Sequence, residues 1–329
     1  MVWNDILGHE KTKNFLKKLI VAKQRPHAFL FCGSSGIGKR LVAEIFAKTI
    51  LCGTGEEPCG KCVSCKSFAG ENHPDYFLIQ PELKVDGHTR KDSITIEQVR
   101  DLLKEAAFLP KLGDSRVAVI DGAHMLVPEA ANSLLKFLEE PPQGWLFVLV
   151  SSNQEAILPT LLSRVTTIRL AGLQKEDVLK YFAQKHSTDI QLEIAANIAG
   201  GSIGQTLYFT DAQADVGRRQ ALDFLTAAVY GEHLQVSTFV KKIPKEKALI
   251  FCEFIATFLR DIWRIKILDV ADIWNNDLLS ILEKMAQDLS VASLRKILQY
   301  VEQTFDSIKR AANPQLAMEG LYILICEEK

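Results

Sequence analysis

Residues 27–45 read HAFLFCGSSGIGKRLVAEI, and the fold turns on how this stretch is parsed. A short apolar run ends at Cys32, a glycine-rich turn follows, and then Leu41, Val42, Ile45, Phe46 and Ile50 recur at helical spacing. The stretch is therefore predicted to form a strand, a loop and a helix. Gly33, Gly38 and Lys39 fit the phosphate-loop pattern G-x-x-x-x-G-K, with Gly36 as a further glycine inside it. The chemistry follows from the residue types. Glycines let backbone N–H groups converge on phosphate oxygens, the helix N-terminus adds a positive dipole end, and lysine adds a full charge.

The next position normally carries a serine or threonine whose hydroxyl binds Mg²⁺, and here it is Arg40, which cannot coordinate a cation. A later run, RVAVIDGAH at 116–124, supplies Asp121 as the strand-end carboxylate, but Gly122 stands where a second carboxylate would polarise the attacking water. Both changes remove parts of a hydrolytic site and leave the phosphate cradle intact. Nucleotide binding without turnover is the expectation. In it either Lys39 or Arg40 pairs with a phosphate; the plainer reading of Arg40 is a solvated residue of the first helical turn.

Outward from this loop, strand and helix signals alternate. DYFLIQ (75–80) precedes a helical pattern at Val99, Leu102, Leu103 and Ala106; RVAVID (116–121) precedes PEAANSLLKFLEE; WLFVLVSS (145–152) precedes a short helix; and VTTIRL (165–170) ends the series. Such alternation predicts an α/β core with a mostly parallel sheet covered on both faces, and ligands bind such sheets at the carboxyl ends of their strands. Beyond 170 only helical patterns remain. Three domains are expected: 1–170 as the α/β phosphate-loop domain, 171–211 as a small three-helix lid, and 212–329 as an all-α domain.

The 329 residues carry a formal charge of −1, with 39 basic and 40 acidic side chains, so no bulk positive field draws nucleic acid to the chain. No apolar run approaches the roughly 20 residues that span a bilayer, and the N-terminus has no signal-peptide pattern, so a cytoplasmic location is expected. Seven cysteines in a reducing compartment argue against a disulfide framework. Cys52, Cys59, Cys62 and Cys65 are spaced C-x₆-C-x₂-C-x₂-C, which suits a closed, structural Zn²⁺ site within the core domain; an iron–sulfur cluster and metal-free thiols are the alternatives. Cys32, Cys252 and Cys326 lie in apolar runs and read as core thiols.

The loop, the four-cysteine insert followed by HPDYF (73–77), AANSLLKFLEEPP (130–142), LLSRV (161–165) and ANPQLAME (312–319) together resemble the bacterial clamp-loader family of AAA+ proteins. The resemblance implies an AAA+ core with zinc insert and lid, and a helical collar that assembles with other subunits. Partners implied are the other loader subunits (gamma/tau and delta), the sliding clamp and primer–template DNA. The family's ATPases carry a lysine followed by threonine or serine, an Asp-Glu pair and a lid arginine; here the corresponding residues are Arg40, Gly122 and Gly204, which resembles the family's non-hydrolysing branch. Ser163 and Arg164 keep the family's Ser-Arg motif, with Val165 in place of cysteine. That resemblance implies an arginine finger, Arg164, acting in trans on a neighbour's nucleotide; taken alone, Arg164 is a surface arginine before a strand.

Three alternatives stay open at the level of sequence. Glu139 and Glu140 read either as a solvated helix end or as part of a subunit interface, while Ser152 and Asn153 read as structural. Arg90, Lys91, Arg100 and Lys104 form either a solvated face or a modest phosphate-contacting strip. A gamma/tau-like ATPase with an atypical loop competes with the non-hydrolysing reading, and a free-standing zinc-dependent nucleic-acid binder is opposed by the balanced charge.

Overall fold

The computed structural model describes residues 2–22, 25–83, 93–106, 108–183, 190–210, 212–231, 240, 248–267, 273–310 and 312–328. They divide into two compact units, one comprising Met1–His186 with Gly200–Gln205, the other Ser187–Ala199 with Thr206–Lys329.

The first unit is built on a five-stranded sheet. Its strands are β1 (Ala28–Cys32), β2 (Tyr76–Ile79), β3 (Arg116–Asp121), β4 (Trp145–Ser151) and β5 (Thr166–Arg169). Their order is β2-β3-β4-β1-β5, and every pairing is parallel. Helix α1 (Glu10–Ala22) precedes β1; α2 (Lys39–Cys52), α3 (Val63–Ala69), α4 (Ile96–Glu105), α5 (Pro128–Glu139) and α6 (Pro159–Leu162) lie in the connections between strands; and α7 (Lys175–Ala183) follows β5. Each strand predicted from the apolar runs is present.

Successive residues of β1 serve opposite faces, as strand pleating requires. Phe29 and Phe31 join Phe46 of α2 in one core, the Phe29 and Phe46 rings meeting edge to face at 5.4 Å. Ala28, Leu30 and Cys32 join the core beneath α4 and α5, with Val99, Leu102 and Leu134. β1 and β4 are buried along their whole length, and so they read as continuous apolar runs without alternation.

At the opposite end of the sheet a buried ion pair fixes the start of β3. Arg116 Nε donates to Asp75 Oδ1 at 3.0 Å, with the two side chains 0% and 1% exposed. The guanidinium also lies 5.1 Å from the Phe77 ring centre and 5.3 Å from that of Trp145. Burial by itself would raise the Asp75 pKa, but the backbone N–H groups of Lys111 and Leu112, together with Arg116, hold it below the usual carboxylate range. The aspartate of HPDYF is thus a structural anchor.

In the second unit, α8 (Ile190–Ile198), α9 (Ile203–Phe209), which begins in the first unit, α10 (Ala212–Tyr230), α11 (Ala248–Ile267), α12 (Leu279–Asp288), α13 (Val291–Lys309) and α14 (Pro314–Glu327) follow one another. Phe224 of α10 meets Phe251 of α11 and Tyr322 of α14 edge to face, at 5.5 and 5.3 Å. The sequence ANPQLAME acquires a local cause here. Asn313 Oδ1 accepts the N–H groups of Gln315 and Leu316, and Pro314 fills the first helical position, so the motif is a helix start. The segment expected as a lid, 171–211, is shared between the two units: α7 and residues 200–205 lie in the first, α8 in the second. No helix among the described residues is long and apolar enough to cross a membrane.

Substituting Asp75 with alanine leaves the fully buried Arg116 charge without its carboxylate. It is predicted to cost about 3–5 kcal/mol, whereas Glu105→Ala, which removes a partly exposed partner of the same arginine, costs about 0–1 kcal/mol. Urea unfolding of the two variants, followed by tryptophan fluorescence, checks the difference.

Candidate functional site

The glycine-rich loop leaves the carboxyl end of β1 and enters α2, as the sequence predicted. Cys32, the last residue of β1, lies opposite Ser151 of β4 and Arg169 of β5 in the ladders. A cavity of about 540 Å³ opens beside the loop, its lining including Gly36, Lys39, Arg40, Asp121, Gly122 and Ser152. Lys39 is 7% exposed, and its Nζ donates to Ser34 O within the loop at 2.5 Å. Burial lowers the lysine pKa, while Asp121 and Cys32 oppose that shift.

Arg40 is not the solvated first-turn residue of the plainer sequence reading. Its Nε donates to Glu44 Oε1 at 2.7 Å, its Nη1 donates to Gln80 Oε1 at 2.6 Å, and Nη1 also lies 3.6 Å from Asp121 Oδ2. The residue in the hydroxyl position thus pairs with the carboxylate that ends β3. Glu44 and Gln80 were not singled out in the sequence; Glu44 had the signal of standing four residues after Arg40, one helical turn on.

Gly122 has φ 90°, where a side chain is strained, so the backbone as well as the side chain departs from what a second carboxylate would need. His124, two residues on, carries no motif signal in the sequence. Its Nδ1 lies 3.2 Å from Ser151 Oγ and its Nε2 lies 3.2 Å from Ser152 Oγ. Burial, reinforced by the Lys39 charge, lowers its pKa and favours the neutral ring. Asn153 serves the turn after β4, its Oδ1 accepting the N–H groups of Glu155 and Ala156.

Gly204 comes to rest against the phosphate loop, its N–H donating to Gly36 O at 3.2 Å. A Cβ placed on Gly204 would stand 3.0 Å from Gly36 Cα, and one on Gly36 would stand 2.4 Å from Ser202 Oγ. The two glycines permit a backbone approach that a larger residue at either position would push apart.

The sulfurs of Cys52, Cys59, Cys62 and Cys65 all lie within 4.8 Å of one another. Sulfurs on the edge of a tetrahedron around Zn²⁺, with Zn–S bonds of about 2.3 Å, stand about 3.8 Å apart. Cys52 Sγ and Cys62 Sγ are 3.8 Å apart, and the residues fit such an ion. An iron–sulfur cluster interposes further atoms and spreads its ligands wider. Backbone N–H groups of Lys61 and Cys62 pull the Cys59 thiol down to about 6, in favour of the thiolate that a metal requires. The insert is tied to the core through Ser64, whose Oγ donates to Leu51 O at 2.9 Å and contacts His73 Nε2 at 2.8 Å.

Arg164 lies between α6 and β5 and is not among the residues lining the cavity. Its Nε and Nη2 both donate to Glu139 Oε1, the first at 2.8 Å, and Nη1 donates to Thr160 O at 2.9 Å. Glu139 is therefore not simply a solvated helix end; it pairs with the arginine of the Ser-Arg motif. Sequence spacing gave no hint of this, because the two residues are 25 positions apart. Of the proposed positive strip, Arg90 and Lys91 lie outside the described residues, Arg100 is exposed, and Lys104 pairs with Asp101 at 2.7 Å.

Two family models match the chain: "DNA polymerase III, delta subunit" over residues 8–174 and "DNA polymerase III, delta subunit, C terminal" over residues 214–325. The chain is 38% identical to DNA polymerase III subunit delta' of Pseudomonas aeruginosa over 143 residues, covering 43% of this chain and 42% of that one. It is 33% identical to the Bacillus subtilis subunit delta' over 173 residues, covering 52% and 50%, and 31% identical to the Haemophilus influenzae subunit tau/gamma over 235 residues, covering 69% and 33%. The matched segments thus span from a third to about half the length of these relatives. A solved structure of a gamma subunit-related protein from Thermotoga maritima aligns with TM-score 0.46 at 14% identity, over 96% of this chain and 99% of that one.

Metal analysis of the purified chain is predicted to find about one zinc per molecule, lost or sharply reduced in Cys62→Ser because three thiolates leave the tetrahedral shell open. Zinc content of the two proteins by atomic emission is the measurement.

Proposed function

The chain belongs to the DNA polymerase III clamp-loader family, and from that premise we propose that it works as a non-hydrolysing subunit of the delta' kind, a stator that supplies Arg164 to the nucleotide site of a neighbouring ATPase subunit. The observation that carries the reading is the contact of Arg40 with Asp121. The carboxylate that would face a magnesium ion faces a guanidinium, and Gly122 offers no base for water. Gly33, Gly36, Gly38 and Lys39 are left as a cradle that can hold a phosphate without the groups that would cleave it.

In this reading hydrolysis happens elsewhere in the assembly. Arg164, held at the surface of the α/β unit by Glu139 and the Thr160 carbonyl, is offered to phosphate charge developing in the neighbour. The four cysteines hold a structural zinc, which shapes the insert and takes no part in chemistry. The division into core, lid (171–211) and collar (212–329), the association with gamma/tau and delta subunits, the sliding clamp and primer–template DNA, and the cytoplasmic location belong to the same proposal.

The gamma/tau-like ATPase is the competing reading, favoured by the 31% identity to a tau/gamma subunit over 69% of the chain. Assay of the purified chain alone decides between them: no turnover is expected, and turnover abolished by Lys39→Ala would establish the ATPase. In a loader reconstituted with gamma and delta subunits, Arg164→Ala is expected to slow hydrolysis at the adjoining site by roughly 10³-fold or more, and clamp loading with it. An unchanged DNA-stimulated rate overturns the role of Arg164.

A further inference from the structure

The cation that usually accompanies phosphate in such a loop has its place taken by the protein itself. A magnesium ion there needs the hydroxyl after the loop lysine and an unencumbered strand-end carboxylate. This chain has neither. Arg40 replaces the hydroxyl, and its Nη1 stands 3.6 Å from Asp121 Oδ2. With Lys39 adjacent, a divalent ion would meet two fixed positive charges, so the residues present do not fit Mg²⁺.

Three contacts hold the guanidinium in place from three separate elements: Glu44 on α2, Gln80 just after β2, and Asp121 at the end of β3. They engage Nε and Nη1 and leave Nη2 without a protein acceptor among the described residues, on a side chain 38% exposed that lines the cavity. A guanidinium with its remaining amino group directed by fixed neighbours is well suited to phosphate oxygens, and it needs no recruitment from solution.

We infer that Arg40 is the resident counter-cation of this site, so that the cavity takes the metal-free phosphates of a nucleoside di- or triphosphate in preference to their magnesium chelates. The inference rests on the reading that the loop holds phosphate, and it adds the form of the ligand. Glu44 and Asp121 then position the arginine, while Lys39 and the loop N–H groups complete the cradle.

Titration calorimetry of the full chain with ADP and with ATP, in magnesium-free buffer passed over chelating resin and in excess Mg²⁺, tests it; no soluble chelator is added, so the cysteine site keeps its metal. Binding no tighter in Mg²⁺ than in magnesium-free buffer is expected. The variant Arg40→Ser, which restores a hydroxyl and frees Asp121, should bind about tenfold or more weakly without magnesium and regain affinity when Mg²⁺ is added. Zinc content and thermal unfolding verify that the variant is folded. Wild-type binding that tightens with Mg²⁺, or an Arg40→Ser protein that binds without magnesium like the wild type, overturns the inference and leaves the phosphate-holding reading standing. Absence of binding by the wild type in both media overturns both.

Discussion

β1 is hydrogen-bonded on both sides, to β4 and to β5, and apolar on both faces, and these two conditions leave its carboxyl end as the place where the glycine loop and its cavity can form. The chain leaving β1 must cross over to reach a parallel strand, so after Cys32 it turns and starts a helix. The glycine loop makes that turn. The same alignment brings the ends of β3 and β4 to the loop, which is how Asp121, His124 and Ser152 come to stand beside Lys39 and Arg40 although they are far away in sequence. The cavity is a consequence of strand order.

Within that frame the departures from a hydrolytic site are linked. Arg40 forms an ion pair with the carboxylate that ends β3, Gly122 has a backbone of positive φ, and Gly204 lies against Gly36. Each glycine permits a local geometry that the missing side chain would disturb. A single reversion therefore meets neighbours already adapted to its absence, the Glu44–Arg40–Asp121 arrangement above all. The glycine loop and its neighbours form a site with its own internal charge balance.

Away from the cavity, the same unit uses buried polar groups as staples. Asp75 holds Arg116 at the amino end of β3, and His73, two residues before Asp75, contacts the four-cysteine insert through Ser64. HPDYF is thus a junction between the insert and the sheet. On the exposed side, Glu139 and Thr160 engage all three guanidinium nitrogens of Arg164, which ties the end of α5 to the turn before β5.

The sequence by itself determined the periodicities and the local chemistry. Five apolar runs became five parallel strands, the cysteine spacing became four converging sulfurs, and the glycine loop fell between strand and helix, because each depends on neighbours a few residues apart. Contacts between distant segments were not legible. Nothing local marks Gln80 as a partner of Arg40, Glu139 as the anchor of Arg164, or Gly204 as a neighbour of Gly36; spacing in sequence says nothing about proximity across crossovers. The tertiary structure alone decided that the arginine after the loop forms an ion pair with the carboxylate of β3, because the parallel order β3-β4-β1 sets those two chain ends near each other.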